Sequence, residues 1–254
     1  MKTKTILIPL FILIPIFSFA WGAAGHQMVA DIAKQKLNPG IEAKVQQFLD
    51  STTFEKAATW MDDVRSEHTY DYMKTWHYVN IEKGDTYVKN PKGDVVSELN
   101  DVMTELKNYP KMKAEDVKKD LEILFHLCGD ITQPLHDGYG SDKGGNDVTV
   151  TFNVKQTNLH HVWDIDIIDN EKITVDSCMK VANAWTPAQL KSIEKMNTMD
   201  WMSDARAFLP QVYDFSNGTL TQAYADKNKI VVEQQLAKGG FRLATVLNKI
   251  FGGK

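Results

Sequence analysis

Residues 121–136, LEILFHLCGDITQPLH, and residues 158–164, NLHHVWD, decide how this chain is read. In the first stretch Leu121, Leu124, Phe125 and Cys128 recur on one face of a helix predicted over Ala114–Asp130. Pro134 then turns the chain just beyond its end. His126 and Asp130 stand four residues apart and therefore project from the same side of that helix. His160 and Asp164 repeat the spacing on a short helix predicted over Leu159–Ile168, and His136 lies between the two pairs. Imidazole and carboxylate groups are the ligands that first-row divalent metals take. One such pair is also ordinary on a solvated helix face; its repetition around a third histidine is what points to a site.

Working outward, the spacing stays mostly helical. Met28, Val29, Ile32, Ala33 and Leu37 share one face of Ala24–Leu37, and Asn38-Pro39 ends that helix and starts another running to Leu49. Further helices are predicted over Phe54–Arg65, Val95–Asn108, Pro187–Met196, Trp201–Phe208, Thr219–Ala225 and Lys229–Ile250. A glycine-rich loop (Gly138, Gly140, Gly144, Gly145) precedes Asp147–Val154, where Val148, Val150, Phe152 and Val154 alternate as in a strand. No repeat or linker divides the chain, so the expectation is one mainly α domain over residues 21–254, with short strands or a small β-hairpin.

Composition narrows the function classes. A chain of 254 residues with 43% hydrophobic and 24% charged residues carries a substantial core and is neither disordered nor multispanning. Its net charge of −4 argues against a broad basic nucleic-acid face, and two cysteines exclude a Cys₄ zinc site. Met1–Ala20 has lysines at 2 and 4, an apolar run from Ile6 to Phe17 and small residues at 18 and 20. That is the pattern of a secretory signal peptide cleaved after Ala20, which predicts a secreted or periplasmic protein with no membrane attachment after cleavage. Whether Cys128 and Cys178 pair in an oxidising compartment depends on their separation, which sequence leaves open. Asn217-Gly218-Thr219 is a glycosylation acceptor pattern, relevant only in a host that glycosylates exported chains.

Taken in order, Trp21-Gly-x-x-Gly-His26, Trp60-x-Asp62-x-x-Arg65, His77-Tyr78, the His126–His136 stretch, Gly144-Gly145-Asn146 and Asn158-Leu-His160-x-x-Trp-Asp164 resemble the zinc-dependent, single-strand-preferring S1/P1 nucleases. The motifs run from Trp21 to Asp164; beyond them the likeness is looser, at Trp201 and at Arg242-Leu243-Ala244 with Leu247-Asn248. The resemblance implies the helical fold that these nucleases share with phospholipase C. It also implies three Zn²⁺ ions: one on Asp62, His77, His126 and Asp130, one on Asp130, His26 and the α-amine and carbonyl of Trp21, and one on His136, His160 and Asp164. An amide nitrogen is a poor ligand, so the Trp21 role requires signal cleavage.

The resemblance further implies an endonuclease that hydrolyses single-stranded DNA and RNA to 5′-phosphorylated products through a zinc-activated water, with 3′-nucleotidase action on mononucleotides. Asp62 would orient the attacking water and Arg65 would neutralise charge on the phosphoryl oxygens. Tyr78 falls at the family's base-stacking position and Asn146 near the nucleotide pocket. Asn80 departs from the aspartate found in many members; an amide both donates and accepts, so base preference is the property it unsettles. Nucleic acid and nucleotides are the expected partners, with no stable protein partner implied. Two other readings are a zinc-dependent phospholipase C, whose last pair is typically His-x-x-x-Glu rather than His160 and Asp164, and a secreted zinc-binding protein without catalysis. A charge-driven nucleic-acid binding module fits the acidic chain poorly.

Overall fold

The computed structural model describes residues 21–253; the stretch read as a signal peptide, Met1–Ala20, lies outside the described residues. The first five α-helices, the last of which carries the first motif stretch, are α1 (Ala23–Gln35), α2 (Ile41–Leu49), α3 (Phe54–Asp63), α4 (Val95–Leu106) and α5 (Ala114–Asp130). The sequence predicts one apolar face for α5, but from Asp120 to Asp130 every residue of it is buried. Helices α1 to α4 and the C-terminal helix surround it, and a helix enclosed in this way is apolar all round except where chemistry demands otherwise. His126 and Asp130 are such exceptions, both 0% exposed.

Local sequence sets the helix starts. Thr53 Oγ1 accepts the Lys56 backbone N–H at 3.2 Å to begin α3, and Asp94 with Ser97 forms a reciprocal capping box on α4. After α5 come β1 (Thr149–Phe152) and β2 (Lys155–Asn158), an antiparallel hairpin. The predicted strand runs too far: Asn153 and Val154 both take positive φ as the two-residue turn, and Val154 is fully exposed instead of facing the core with Val150 and Phe152.

Asn158 Oδ1 accepts the His161 N–H at 2.8 Å and starts α6 (Leu159–His161), which passes through a π-helical turn (Val162–Asp166) into α7 (Ile167–Glu171). Four short helices follow: α8 (Val175–Ala182), α9 (Pro187–Ile193), α10 (Thr198–Arg206) and α11 (Leu209–Val212). Strand β3 (Thr219–Leu220) adds to β1 in parallel, completing a three-stranded sheet in the order β2-β1-β3.

The last helix, α12 (Gln222–Phe251), is one 30-residue element, where two helices are predicted. The polar Asp226-Lys227-Asn228 stretch does not break it, because buried Asn228 bonds back to the Tyr224 carbonyl and accepts from Gln211. Gly240 lets α12 lie against α1: a Cβ there would meet Ile32 Cγ2 at 2.4 Å. The loosely matched C-terminal residues serve packing. Arg242 is buried and ion-paired with Asp204 at 2.9 Å, and Asn248 bonds the Lys36 carbonyl and the Asn38 N–H at the end of α1. Cys128 and Cys178 are buried and unpaired, and no described helix is long and apolar enough to cross a membrane. The whole is mainly helical with a small sheet, as predicted.

Candidate metal centre

The C-terminal end of α5 carries His126 and Asp130 into the interior, and four other segments bring histidines or a carboxylate to meet them. His26 comes from α1, Asp62 from α3, His77 from the loop before α4, and His136 from the turn made by Gln133-Pro134. Gln133 shapes that turn: its Oε1 accepts the Leu135 N–H at 2.5 Å while its amide donates to Asp164 Oδ1 at 2.6 Å. Gly129 makes room for His26, since a Cβ there would lie 2.6 Å from His26 Nδ1.

Two clusters result. Around Asp130, Oδ2 faces His77 Nδ1 at 3.1 Å and His126 Nε2 at 3.3 Å, and Oδ1 faces His26 Nε2 at 3.3 Å. Asp62 Oδ1 lies 3.9 Å from His126 Nε2 and groups with His26 and His126. In the second cluster His160 Nε2 lies 3.1 Å from His136 Nε2 and 3.2 Å from Asp164 Oδ2. Among the described residues, His26–Asp62–His126, His77–His126–Asp130 and His136–His160–Asp164 each bring one ligand atom per residue within 4.8 Å of the others.

Proton bookkeeping tests whether a metal fits. His136 Nδ1 donates to the His77 carbonyl at 2.6 Å and His160 Nδ1 to the Gly144 carbonyl at 2.6 Å. Burial pushes His136 down to about 3 and His160 to about 4, so both rings are neutral near pH 7. With the proton of each ring on Nδ1, two Nε2 lone pairs face each other beside the Asp164 carboxyl, an arrangement that suits a bound divalent cation. Ligands about 2.0–2.1 Å from a tetrahedral zinc ion stand roughly 3.3 Å apart, close to the 3.1 and 3.2 Å edges of this triad. Donation of the second ring nitrogen to a carbonyl is also how metal-bound histidines are oriented.

The Asp130 cluster makes the same demand more strongly. Both ring nitrogens of His26, Asp62 Oδ1 and Asp130 Oδ1 are buried without a hydrogen-bond partner. Burial disfavours charge on Asp130, yet His126 and the other histidines hold its carboxyl well below the usual range. Burial likewise opposes charge on His126, but Asp130 and Asp62 raise it to about 9. One proton on His126 cannot serve all the acceptors gathered there, whereas divalent cations can. His126 Nδ1 is already committed to the Ala58 carbonyl at 2.7 Å.

The remaining predicted residues surround these clusters. Trp21 is fully buried, its indole N–H donating to Thr132 Oγ1 at 3.2 Å, and the Gly22 N–H donates to the Asp164 carbonyl at 3.0 Å. The Trp21-Gly22 segment is thereby tied to both motif stretches. A cavity of about 220 Å³ opens over His77, His136 and His160, walled by Arg65, Tyr78, Asn80 and Asn146. Arg65 Nη1 stands 3.9 Å from Asp62 Oδ1. Two further wall residues, Leu135 and Lys143, escaped the sequence reading. Leu135 sits inside the His126–His136 motif, whereas Lys143 takes a left-handed conformation (φ 54°) in the glycine loop, where no local pattern marks it. His68 and His161 pair with Asp71 and Asp166 and belong to neither cluster.

Comparison with known proteins gives one family. The family model described as S1/P1 Nuclease matches residues 21–252. Nuclease S1 of Aspergillus oryzae is 28% identical over 92% of each chain, and nuclease P1 of Penicillium citrinum is 28% identical over 92% of this chain and 99% of its own. Among solved structures, the Clostridium perfringens alpha-toxin from avian strain SWCP is 14% identical with a TM-score of 0.49, covering 93% of this chain and 66% of the toxin.

Proposed function

This chain belongs to the S1/P1 nuclease family, and we propose that it is an exported, zinc-dependent endonuclease acting on single-stranded DNA and RNA to leave 5′-phosphorylated products. The observation that carries this reading is the set of facing, unprotonated ring nitrogens of His136 and His160 beside Asp164, on the floor of a cavity that also holds Arg65. In the proposal His136, His160 and Asp164 hold one ion, and Asp62, His77, His126 and Asp130 a second. His26 and the amine and carbonyl of Trp21 hold a third with Asp130, once cleavage after Ala20 frees the amine. Bound zinc supplies Lewis acidity, which makes water a nucleophile near neutral pH and offsets phosphate charge.

The chain's own residues do the rest. Asp62 Oδ1, buried without a hydrogen-bond partner, is available to accept a proton from the attacking water and align it. Arg65 at the cavity wall donates to the phosphoryl oxygens as charge builds on them. Tyr78 offers a ring on which an unpaired base stacks; a base held inside a duplex does not present that face. Asn80 and Asn146, on the same wall, offer amides to base or sugar edges.

The test joins metal analysis and N-terminal sequencing of the purified protein to assays on single-stranded DNA, RNA and phosphatidylcholine. The proposal expects about three zinc ions per chain, Trp21 as first residue, nucleotide products with 5′-phosphate, and loss of activity on chelation with recovery on zinc addition. Release of choline phosphate without nucleotide release, or bound zinc with no turnover, would overturn it.

A further inference from the structure

One side chain outside the family motifs holds two ligand-bearing segments together. The segment from His77 to Ile81 carries Tyr78 and Asn80 on the cavity wall, and the segment from His136 to Gly138 opens the glycine-rich loop. Three bonds zip them: His136 Nδ1 to the His77 carbonyl at 2.6 Å, the Val79 N–H to the His136 carbonyl at 2.8 Å, and the Ile81 N–H to the Gly138 carbonyl at 3.0 Å. At the open end of this zipper, Arg206 of α10 spans both segments. Its Nη2 donates to the Ile81 carbonyl at 2.8 Å, and its Nη1 to the carbonyls of Asp137 and Gly138, the latter at 3.2 Å.

We propose that Arg206 is a positioning residue of the metal centre, setting the distance between the Tyr78 wall and the loop that starts at His136 and thereby the aim of His136 at its ion. A guanidinium is suited to this because its donors lie in one rigid plane and meet several carbonyls at once, which a lysine ammonium on a flexible stem does not do. Arg206 is braced in turn. Its Cζ lies 5.9 Å from the Tyr139 ring, which packs on Tyr213, and the Tyr213 hydroxyl donates to Asp142 Oδ2 at 2.7 Å. Asp142 Oδ1 accepts the Gly145 N–H at 2.9 Å. The far end of the glycine loop, whose Gly144 carbonyl orients His160, is therefore held by the same group of residues.

The activity arm of the test rests on the nuclease reading; the metal arm does not. Arg206→Ala and Arg206→Lys are each loaded with zinc and followed for metal retention against graded chelator. Their kcat and KM on single-stranded DNA and the melting of their metal-stripped forms are measured alongside. The expected result is that both variants release one ion at chelator concentrations about 10-fold lower than wild type, the scale for losing an outer partner of a metal ligand. KM should rise more than kcat falls, the metal-stripped melts should stay close to wild type, and added guanidinium should restore metal retention to the alanine variant but urea should not. An unchanged chelator curve, full function with lysine, or a much lower metal-stripped melt without guanidinium rescue would overturn the proposal. If wild type holds zinc yet cleaves no nucleic acid, the nuclease reading falls while the chelator curves still decide the role of Arg206.

Discussion

Asp130 and Asp164 each close a His-x-x-x-Asp pair, and both are buried to 1% exposure or less, yet their surroundings push them in opposite directions. Asp130 is hemmed by His26, His77 and His126 with His136 close by, and these partners hold its carboxyl well below the usual range against the effect of burial. Asp164 has His160 and the Gln133 amide; burial lifts its carboxyl well above that range, and the charges of Asp130 and Asp62 add to the lift. The backbone differs as well: Asp130 ends the regular helix α5, whereas Asp164 lies in a π-helical turn, a distortion frequent at functional sites. Equal spacing thus builds a shared centre in one place and a self-contained triad in the other.

The sharpest way to break this comparison is to remove each carboxylate. Asp130→Ala should strip about two ions and lower turnover by roughly 10³-fold or more, since several kcal/mol of charge stabilisation go with them. Asp164→Ala should strip about one and leave the Asp130 cluster loaded. Metal analysis of the two purified variants decides it, and equal metal loss would erase the distinction between shared and separate centres.

A smaller effect is expected one residue away. Gly129→Ala gains up to about 1 kcal/mol of helix propensity, but its Cβ would sit 2.6 Å from His26 Nδ1 and 2.9 Å from Cε1. Chelator titration should then show zinc held about 10-fold more weakly at the Asp130 cluster, with no rise in the melting temperature of the metal-stripped chain. Unaltered zinc retention would mean that His26 has room to retreat.

The smallest effect concerns α5 away from the clusters. Burial, with Glu105 adding to it, pushes Asp120 up to about 7 from its ordinary 3.8. Between those values the folded chain keeps a proton that the unfolded chain has released, so stability falls as pH rises through this window. Asp120→Asn removes the dependence. At pH about 8 it should raise Tm by about 2–4 °C, the shift that roughly 1 kcal/mol makes in a chain of this size. Near pH 4 the difference should vanish; a variant no more stable at pH 8 would show that Asp120 ionises freely.

Much of the fold was legible where apolar periodicity is long and the ends are punctuated. The predicted α2 and α5 end where the structure ends them, at Leu49 and Asp130, and α1 and α4 fall short of their predicted ends by two residues each. Helix α8 was missed because two turns with Cys178 and Ala182 buried give little periodicity, although Thr174 and Ser177 supplied a readable capping box. The division of α12 was misread because Asn228 looks like a breaker when its partners, Tyr224 and Gln211, are out of view. At the site, five of the seven histidines were picked out by motif, and the structure gathers those five with Asp62, Asp130 and Asp164. Arg206 carried no signal, since one of the carbonyls it holds, that of Ile81, lies 125 residues away in the chain.

The sequence by itself determined the helical class, the two His-x-x-x-Asp pairs and the residue types of a metal centre, because side-chain spacing along a helix is a local property. Only the tertiary structure decided which histidines share Asp130, which nitrogen of each ring is free, and which wall each segment presents to the cavity. Those outcomes depend on desolvation and on donors from distant segments. Both are fixed by how the helices close around α5.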